Sequence, residues 1–477
     1  MSKLLLLVGA AAAATILLYL FYRWERAGRE HWVVFLLLSL LVAEASLYEN
    51  GNTMPRGLFH PGSGSFQFRL PEVLIALALV ARLVVKGRPK WIGVPAMLWA
   101  AMAGWMAVEM IEGLVRHNST VKLPYEAKAI IYVMGGYALA SGVPIRRFLD
   151  GPGFQRLLRW TAIPATALVI LALAKKTYNV HLPLVPLSNF GELGTDAATI
   201  FVVIGMIGLL LELAKEHRRA VNLLCPVPMF ISAFLAYQRA VLLTLGASTV
   251  VVILASLGTT ARRRLRVRGG EVAVAALAVI GVVLGLAVVP ALTGQKSITS
   301  SPILAKITKT VNSTLGSQAK SESAQARLNK WGVAYGDAKL SPILGQGLGY
   351  TYSYFEPGPN QFVMTDLTEN LGLDLWLRTG LIGLALFLVA LVVSIANGLT
   401  AWRLHPDRMV AVLALGLVAG VIGLFAKGMV ESIFENYRLA TVLGLTLGML
   451  RSAVTSGGGN LLKMRTHYEP ERALEGV

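Results

Sequence analysis

Apolar runs of roughly 17–25 residues recur from one end of this chain to the other, separated by short polar stretches; that is the helical length that crosses a hydrocarbon core about 30 Å thick. The pattern predicts thirteen spans, near residues 4–22, 31–47, 70–86, 91–111, 124–141, 157–174, 197–214, 220–236, 240–257, 272–292, 370–397, 409–426 and 437–451. The first run, Leu4–Tyr22, has its basic flank after it, at Arg23, Arg26 and Arg29, and so reads as a retained span rather than a cleaved leader. The fold class this predicts is all-α: a polytopic helical membrane protein with twelve or thirteen transmembrane helices.

One connection breaks the rhythm. The segment Thr293–Glu369 separates two spans and is far longer than any other loop. Its first half, Gln295–Ser323, is rich in Ser, Thr and Lys. In its second half, Ala326–Ala338 carries Trp331 and Tyr335 at helical spacing, and Pro342 leads into Gly345-Gln346-Gly347-Leu348-Gly349. A short helix followed by a glycine turn is expected there. The chain thus divides into a transmembrane bundle (1–292), a long loop (293–369), the last spans (370–451) and a tail (452–477). No internal repeat is evident, which disfavours a transporter built from repeated halves.

Composition supports the membrane reading. The 477 residues are 55% hydrophobic and only 15% charged, with mean hydropathy +0.62, which excludes a soluble enzyme, a disulfide scaffold and a disordered chain. The formal charge of +18 would suit a nucleic-acid binder, but the basic residues sit in short clusters between spans, where they set topology. Loops after odd-numbered spans, together with the tail, hold 24 basic residues, whereas the short loops on the opposite side hold ten. The positive-inside rule places the former in the cytoplasm and the long loop outside. Cys225 is the single cysteine, and no Cys/His cluster has metal-ligand spacing, so no metal or other cofactor is expected.

Ionisable residues at span ends are costly and mark candidate sites. Arg239 follows Gln238 in a very short outer turn, where it either snorkels to headgroups or binds an anion. Asp366, Asn370, Asp374 and Arg378 recur every four residues, which on one helix makes a polar stripe; Asp366 and Thr368 suit an N-cap, and Asp374–Arg378 suits an ion pair. Glu369, at the start of that helix, is the better candidate for chemistry. Lys427, Glu431, Glu435 and Arg438 fall on one helical face, either as two internal ion pairs or with Arg438 joining Arg239 around an anionic group. The glycine run lacks the strand and downstream acid of a dinucleotide fingerprint and reads as turn geometry.

In this order the elements resemble the O-antigen ligase and O-antigen polymerase superfamily of membrane glycosyltransferases. Gln238-Arg239-Ala240 stands where members carry a Ser-Arg-Gly-like outer turn. Arg327, Trp331, Pro342, Gly345, Gly347 and Gly349 match the family's Arg…Trp…Pro-x-x-Gly-x-Gly-x-Gly run. Glu369-Asn370 stands at its His-Asn pair, and Gly380-Leu381-Ile382-Gly383 at the following Gly-Leu-Ile-Gly-like step. Two positions depart: glutamate replaces the histidine at 369, and Gln238 replaces the serine. The resemblance implies an enzyme of the plasma (inner) membrane, acting on its outer face on an undecaprenyl-diphosphate-linked glycan and a glycan or glycolipid acceptor, without metal or cofactor. It gives Glu369 and Arg239 the catalytic roles, and substrate contacts to Arg438, Asn370, Arg378, Arg327 and Lys427. Polymerase and ligase both remain open, as do a peptidoglycan-type polymerase and a lipid-linked-oligosaccharide flippase.

Overall fold

A computed structural model of the protein describes residues 3–48, 70–87, 93–150, 153–178, 195–236, 238–256 and 322–456. The helices are α1 (Lys3–Arg26), α2 (His31–Tyr48), α3 (Leu70–Lys86), α4 (Val94–Val115), α5 (Leu123–Ala140), α6 (Ile145–Asp150), α7 (Gly153–Tyr178) and α8 (Thr195–Ala214). They continue as α9 (Ala220–Leu224), α10 (Pro226–Leu235), α11 (Arg239–Ser256), α12 (Glu322–Leu340), α13 (Leu371–Leu404), α14 (Arg408–Gly428) and α15 (Tyr437–Thr455). Twelve of the expected spans coincide with these helices; the expected span at 272–292, and most of Gln295–Ser323, lie outside the described residues. Among the described residues, four helices, α4, α8, α13 and α14, are long and apolar enough by length and composition to cross a membrane. The protein is an all-α polytopic membrane protein.

The interior is built on α8, α14 and α15, which are buried along almost their whole length. Small residues let their backbones close up. Gly444 of α15 faces the Val133 backbone of α5, Gly136 of α5 faces the Leu445 amide, and Gly448 faces the Tyr137 carbonyl. A Cβ at any of these would meet main chain, which cannot retreat as a side chain can. Ser248 Oγ of α11 donates to the Ala419 carbonyl of α14 at 2.9 Å, and Gly423 packs on Thr244 and Ser248. These contacts define an antiparallel α11–α14 pair; one further turn of the same register sets Arg239–Ala240 level with Lys427.

The segment 220–236 is helical as expected: α9 and α10 are separated only by Cys225, itself at right-handed helical angles (φ −54°, ψ −41°), next to Pro226, which has no N–H to continue the ladder. Two features differ from the expectation. The long loop holds an antiparallel hairpin, β1 (Tyr352–Glu356) with β2 (Gln361–Thr365), in addition to the expected helix, found as α12. Finally, α13 is kinked at Gly380, whose φ of 63° and ψ of −173° only glycine adopts readily. The first limb, Leu371–Thr379, lies on the loop side, and the apolar limb from Leu381 onward is the span itself.

The glycine run makes the kink. Gly345, Gly347 and Gly349 all have positive φ, between 78° and 83°. They let the loop wedge between α4 and the kink, where Gln346 N donates to the Leu377 carbonyl at 2.7 Å and Gly347 N to the Arg378 carbonyl at 3.1 Å. On the other side Leu348 N reaches the Glu109 carbonyl of α4 at 3.2 Å. Asn118 Nδ2 ties off the carbonyls of Gln346 and Leu348 at 2.9 and 3.0 Å. The run is turn geometry, as its spacing predicts, and it fixes where the loop sits on the bundle.

Candidate functional site

Glu369 sits one residue before the N-cap of α13, with φ of 55°, a left-handed conformation uncommon for a residue with a side chain. The N-cap is Asn370, whose Oδ1 accepts from Leu373 N at 3.0 Å. This corrects the expected capping by Asp366 and Thr368: α13 begins at Leu371, so Asp366 lies outside it and the four-residue stripe is not a single helical face. Asn370 Nδ2 also donates to the Met429 carbonyl at 2.8 Å, tying the head of α13 to the end of α14.

The Glu369 carboxylate is clamped from α12. Arg327 Nε lies 2.8 Å from Oε2, and Lys330 Nζ lies 2.9 Å from Oε1. Arg327 is partly exposed, whereas Lys330 is buried, with its ammonium 5.1 Å from the centre of the Tyr354 ring. Trp331 Nε1 donates to the Thr368 carbonyl at 2.8 Å and seats α12 against the Glu369 segment. Burial acts to raise the Glu369 pKa, but the hydrogen bond and charge of Lys330, then the charge and hydrogen bond of Arg327, outweigh it and hold the carboxyl below its usual range. Nearby, Tyr350 donates to Asp337 Oδ2 at 3.1 Å; burial first, then the Asp337 charge and that hydrogen bond, push its phenol up to about 12.

Lys427 is fully buried at the end of α14 and pairs with Glu431. Its supposed continuation through Glu435 to Arg438 on one helical face does not exist, because α14 stops at Gly428 and Arg438 belongs to α15. Arg438 is instead held by Asp196 of α8, 3.0 Å from Nη1, with Glu44 of α2 3.8 Å from Nη2. Tyr437 donates to the same Glu44. The register of α11 brings the Arg239 backbone to the level of Lys427; the Arg239 side chain lies outside the described residues, and Gln238 beside it is exposed.

Arg378 occupies a third cluster. Its Nε lies 2.7 Å from Asp374 Oδ1, it pairs with Glu126 of α5, and it donates to the Asp366 carbonyl. Lys122 closes on the Asp366 carboxylate at 2.9 Å. These groups border a cavity of about 290 Å³, together with Lys128, Tyr132 and Tyr437.

The fold therefore brings Arg327, Glu369 and Asn370 into direct contact or adjacency and ties them through Met429 to the Lys427 end of α14. Arg378 and Arg438 stand in separate ion-pair clusters. Sequence reading missed Lys330, although its three-residue spacing from Arg327 on one helix was the signal. It also missed Lys122 and Glu126, whose pairing with α13 and the segment before it no local pattern announces.

The class defined by this fold and site is a helical membrane protein with a built polar site on its loop-bearing end. Residues 224–388 match the family model described as O-antigen ligase. That match supports the O-antigen ligase superfamily and, at that level, a glycan-transferring membrane function in polysaccharide biosynthesis. No curated protein matches the chain. The matched segment contains Arg239, Arg327, Lys330, the glycine run, Glu369, Asn370 and Arg378, so the clamp lies wholly within it.

Proposed function

We propose that the protein is a glycosyltransferase of the plasma membrane that moves a glycan from a polyprenyl diphosphate to an acceptor hydroxyl on the extracytoplasmic face. The observation that carries this reading is the Glu369 clamp, a carboxylate facing two cations at the family's loop-to-span junction. In the reaction, the acceptor oxygen attacks C1 of the donor's reducing-end sugar. The C1–O bond to the diphosphate breaks, and the acceptor proton passes to Glu369, a role of the kind that contributes about 10²–10⁴-fold.

The clamp explains how one site handles both charges. Without donor, Arg327 and Lys330 keep Glu369 ionised and weakly basic. A diphosphate, with more charge and more acceptor oxygens, draws the guanidinium and ammonium toward itself. Glu369 then loses its counter-ions, its proton affinity rises, and it becomes a competent base as the leaving group arrives. Arg239, level with Lys427, supplies a further guanidinium to the diphosphate. Charge stabilisation comes from these side chains, without a metal. The acceptor is either another lipid-linked glycan, as in a polymerase, or a different lipid anchor, as in a ligase.

The test is a transfer assay with purified protein in lipid, supplied with a polyprenyl-diphosphate glycan. Release of polyprenyl diphosphate coupled to glycan transfer is expected, and its loss in Glu369→Gln. A wild-type protein that releases none, with unchanged surface glycans in a deletion strain, overturns the reading.

A further inference from the structure

The turn between α12 and the glycine run leaves an apolar surface uncovered. Leu340, Ile343 and Leu344 are 78%, 59% and 42% exposed, whereas the residues from Gly345 to Gly349 are buried. Single exposed leucines are ordinary on any protein surface, but these three sit where two membrane-crossing helices end. Leu381 N, at the start of the span limb of α13, donates to the Pro342 carbonyl at 2.9 Å. Leu381 and Ile382 are themselves exposed, and exposed positions continue down the span at Leu388, Val389 and Val392, one stripe at helical spacing. On the other side Arg116, the C-cap of α4, donates from Nη2 to Ser341 Oγ at 3.3 Å. Just before it α4 exposes Ile111, Leu114 and Val115. The turn is therefore bordered by the last lipid-facing residues of α4 and the first of α13.

Its rim carries the side chains that suit a headgroup layer. Trp376 Nε1 donates to the Pro342 carbonyl at 3.1 Å, and its ring meets that of Tyr335 edge-on, 5.5 Å between centroids. Lys339 sets its ammonium 4.2 Å from the centre of the Tyr335 ring. Such aromatic rings and long-stemmed lysines concentrate at membrane interfaces because one end is apolar and the other is wet. We infer that the Leu340–Leu344 turn, rimmed by Tyr335, Lys339 and Trp376, is an interfacial anchor that inserts into the phospholipid leaflet on the loop-bearing side. The bilayer is the occupant because the turn continues the lipid-facing stripe of α13 through a backbone hydrogen bond. A protein partner seated here would have to displace lipid from Leu381 and Ile382. Because α12 also carries Arg327 and Lys330, the anchor holds the Glu369 clamp at a set height relative to the bilayer, whatever the protein transfers.

The experiment uses the full chain lacking Cys225, with a bimane label at Ile343→Cys, at Leu344→Cys or, as a control, at Gln325→Cys near the other end of α12. Ile343, Leu344 and Gln325 are all exposed, so the variants should fold as wild type, which thermal unfolding verifies. Each is placed in phosphatidylcholine nanodiscs with or without a phosphatidylcholine that carries a nitroxide on its acyl chain close to the headgroup. The nitroxide lipid should cut emission at positions 343 and 344 about two-fold or more, the depth expected of an interfacial segment, and leave position 325 nearly unchanged. Absence of quenching at both turn positions overturns the anchor. Equal quenching at all three positions also overturns it, because the loop then lies on the bilayer without a specific insertion. A disulfide between two copies at Leu344→Cys, with loss of quenching there, overturns it in favour of a second copy of this chain.

Discussion

Lys330 and Glu369 meet across 2.9 Å from opposite ends of the described loop, the lysine buried in α12 and the carboxylate held in a left-handed turn before α13. The pair fixes a carboxylate where it faces cations in the resting state, and it makes the ionisation of Glu369 depend on what those cations are doing.

Glu369→Gln should abolish glycan transfer while leaving expression close to wild type, with a lower unfolding temperature because the charge that pairs with Lys330 and Arg327 is gone. Position 369 requires positive φ, which histidine and asparagine tolerate better than most residues. Glu369→His should therefore fold and retain a fraction of the activity, whereas Glu369→Asn should fold and be inactive. Wild-type turnover by Glu369→Gln would reduce the residue to a structural tie.

The same pair sets a pH dependence. The folded pKa of Glu369 is depressed, so its contribution to stability is complete above the unfolded carboxylate pKa. That contribution is lost as pH falls through the lower folded value. Lys330→Gln removes the leading opposing charge and brings the folded pKa back toward the unfolded one, so the acid loss of stability should be smaller than in wild type. Thermal unfolding of detergent-solubilised protein between pH 3 and pH 6, about the carboxylate range, reads this directly. Superimposable profiles for the two proteins would count against the clamp.

Arg378 is predicted to hold the loop-bearing end together. Its removal leaves Asp374 and Glu126 facing each other without their cation, and breaking a buried pair in this way costs about 3–5 kcal/mol. Arg378→Gln should lower the unfolding temperature markedly, whereas Lys122→Gln, which breaks a half-exposed pair with Asp366, should change it little. Similar shifts in both variants would contradict this division.

Gly380→Ala and Gly345→Ala should each fail to assemble the loop. Both positions need positive φ, which costs a residue with a Cβ roughly 1–2 kcal/mol, and both Cβ positions meet the backbone of the other segment. Greater protease cleavage between α12 and α13 is the expected readout. As a control, Gly332→Ala on α12, where a Cβ meets open space, should behave as wild type.

Arg239→Ala should lose transfer, and Arg239→Lys should recover only part of it with weaker donor binding, since lysine keeps the charge but loses the planar fork. A wild-type rate in Arg239→Ala would mean that the guanidinium serves the lipid headgroups instead. The orientation assumed for this chemistry is checked by labelling: in a background lacking Cys225, Ser353→Cys on the hairpin should react with an impermeant thiol reagent from outside, and His217→Cys only from inside. Reversed reactivity would place the site in the cytoplasm.

The chain's own periodicity determined the membrane-spanning helices, the helix around Trp331 and the glycine turn after Pro342. Each is dictated by neighbours in sequence: apolar length matched to the bilayer, a 3.6-residue repeat, and backbone angles that only glycine reaches cheaply. What no local pattern could decide is which charges meet. Arg438 closes a tidy helical spacing that starts at Lys427, yet it pairs with Asp196 of α8 because α14 ends at Gly428 and the chain re-enters the bundle as α15. Arg378 likewise finds Glu126 of α5 as well as its own-helix Asp374, because α13 bends at Gly380 around the glycine wedge and packs on α4, the neighbour of α5. Away from bulk water, a side chain must find its counter-charge among whatever the packing brings near. Those partners come from helices far apart in sequence, so only the tertiary structure selects them.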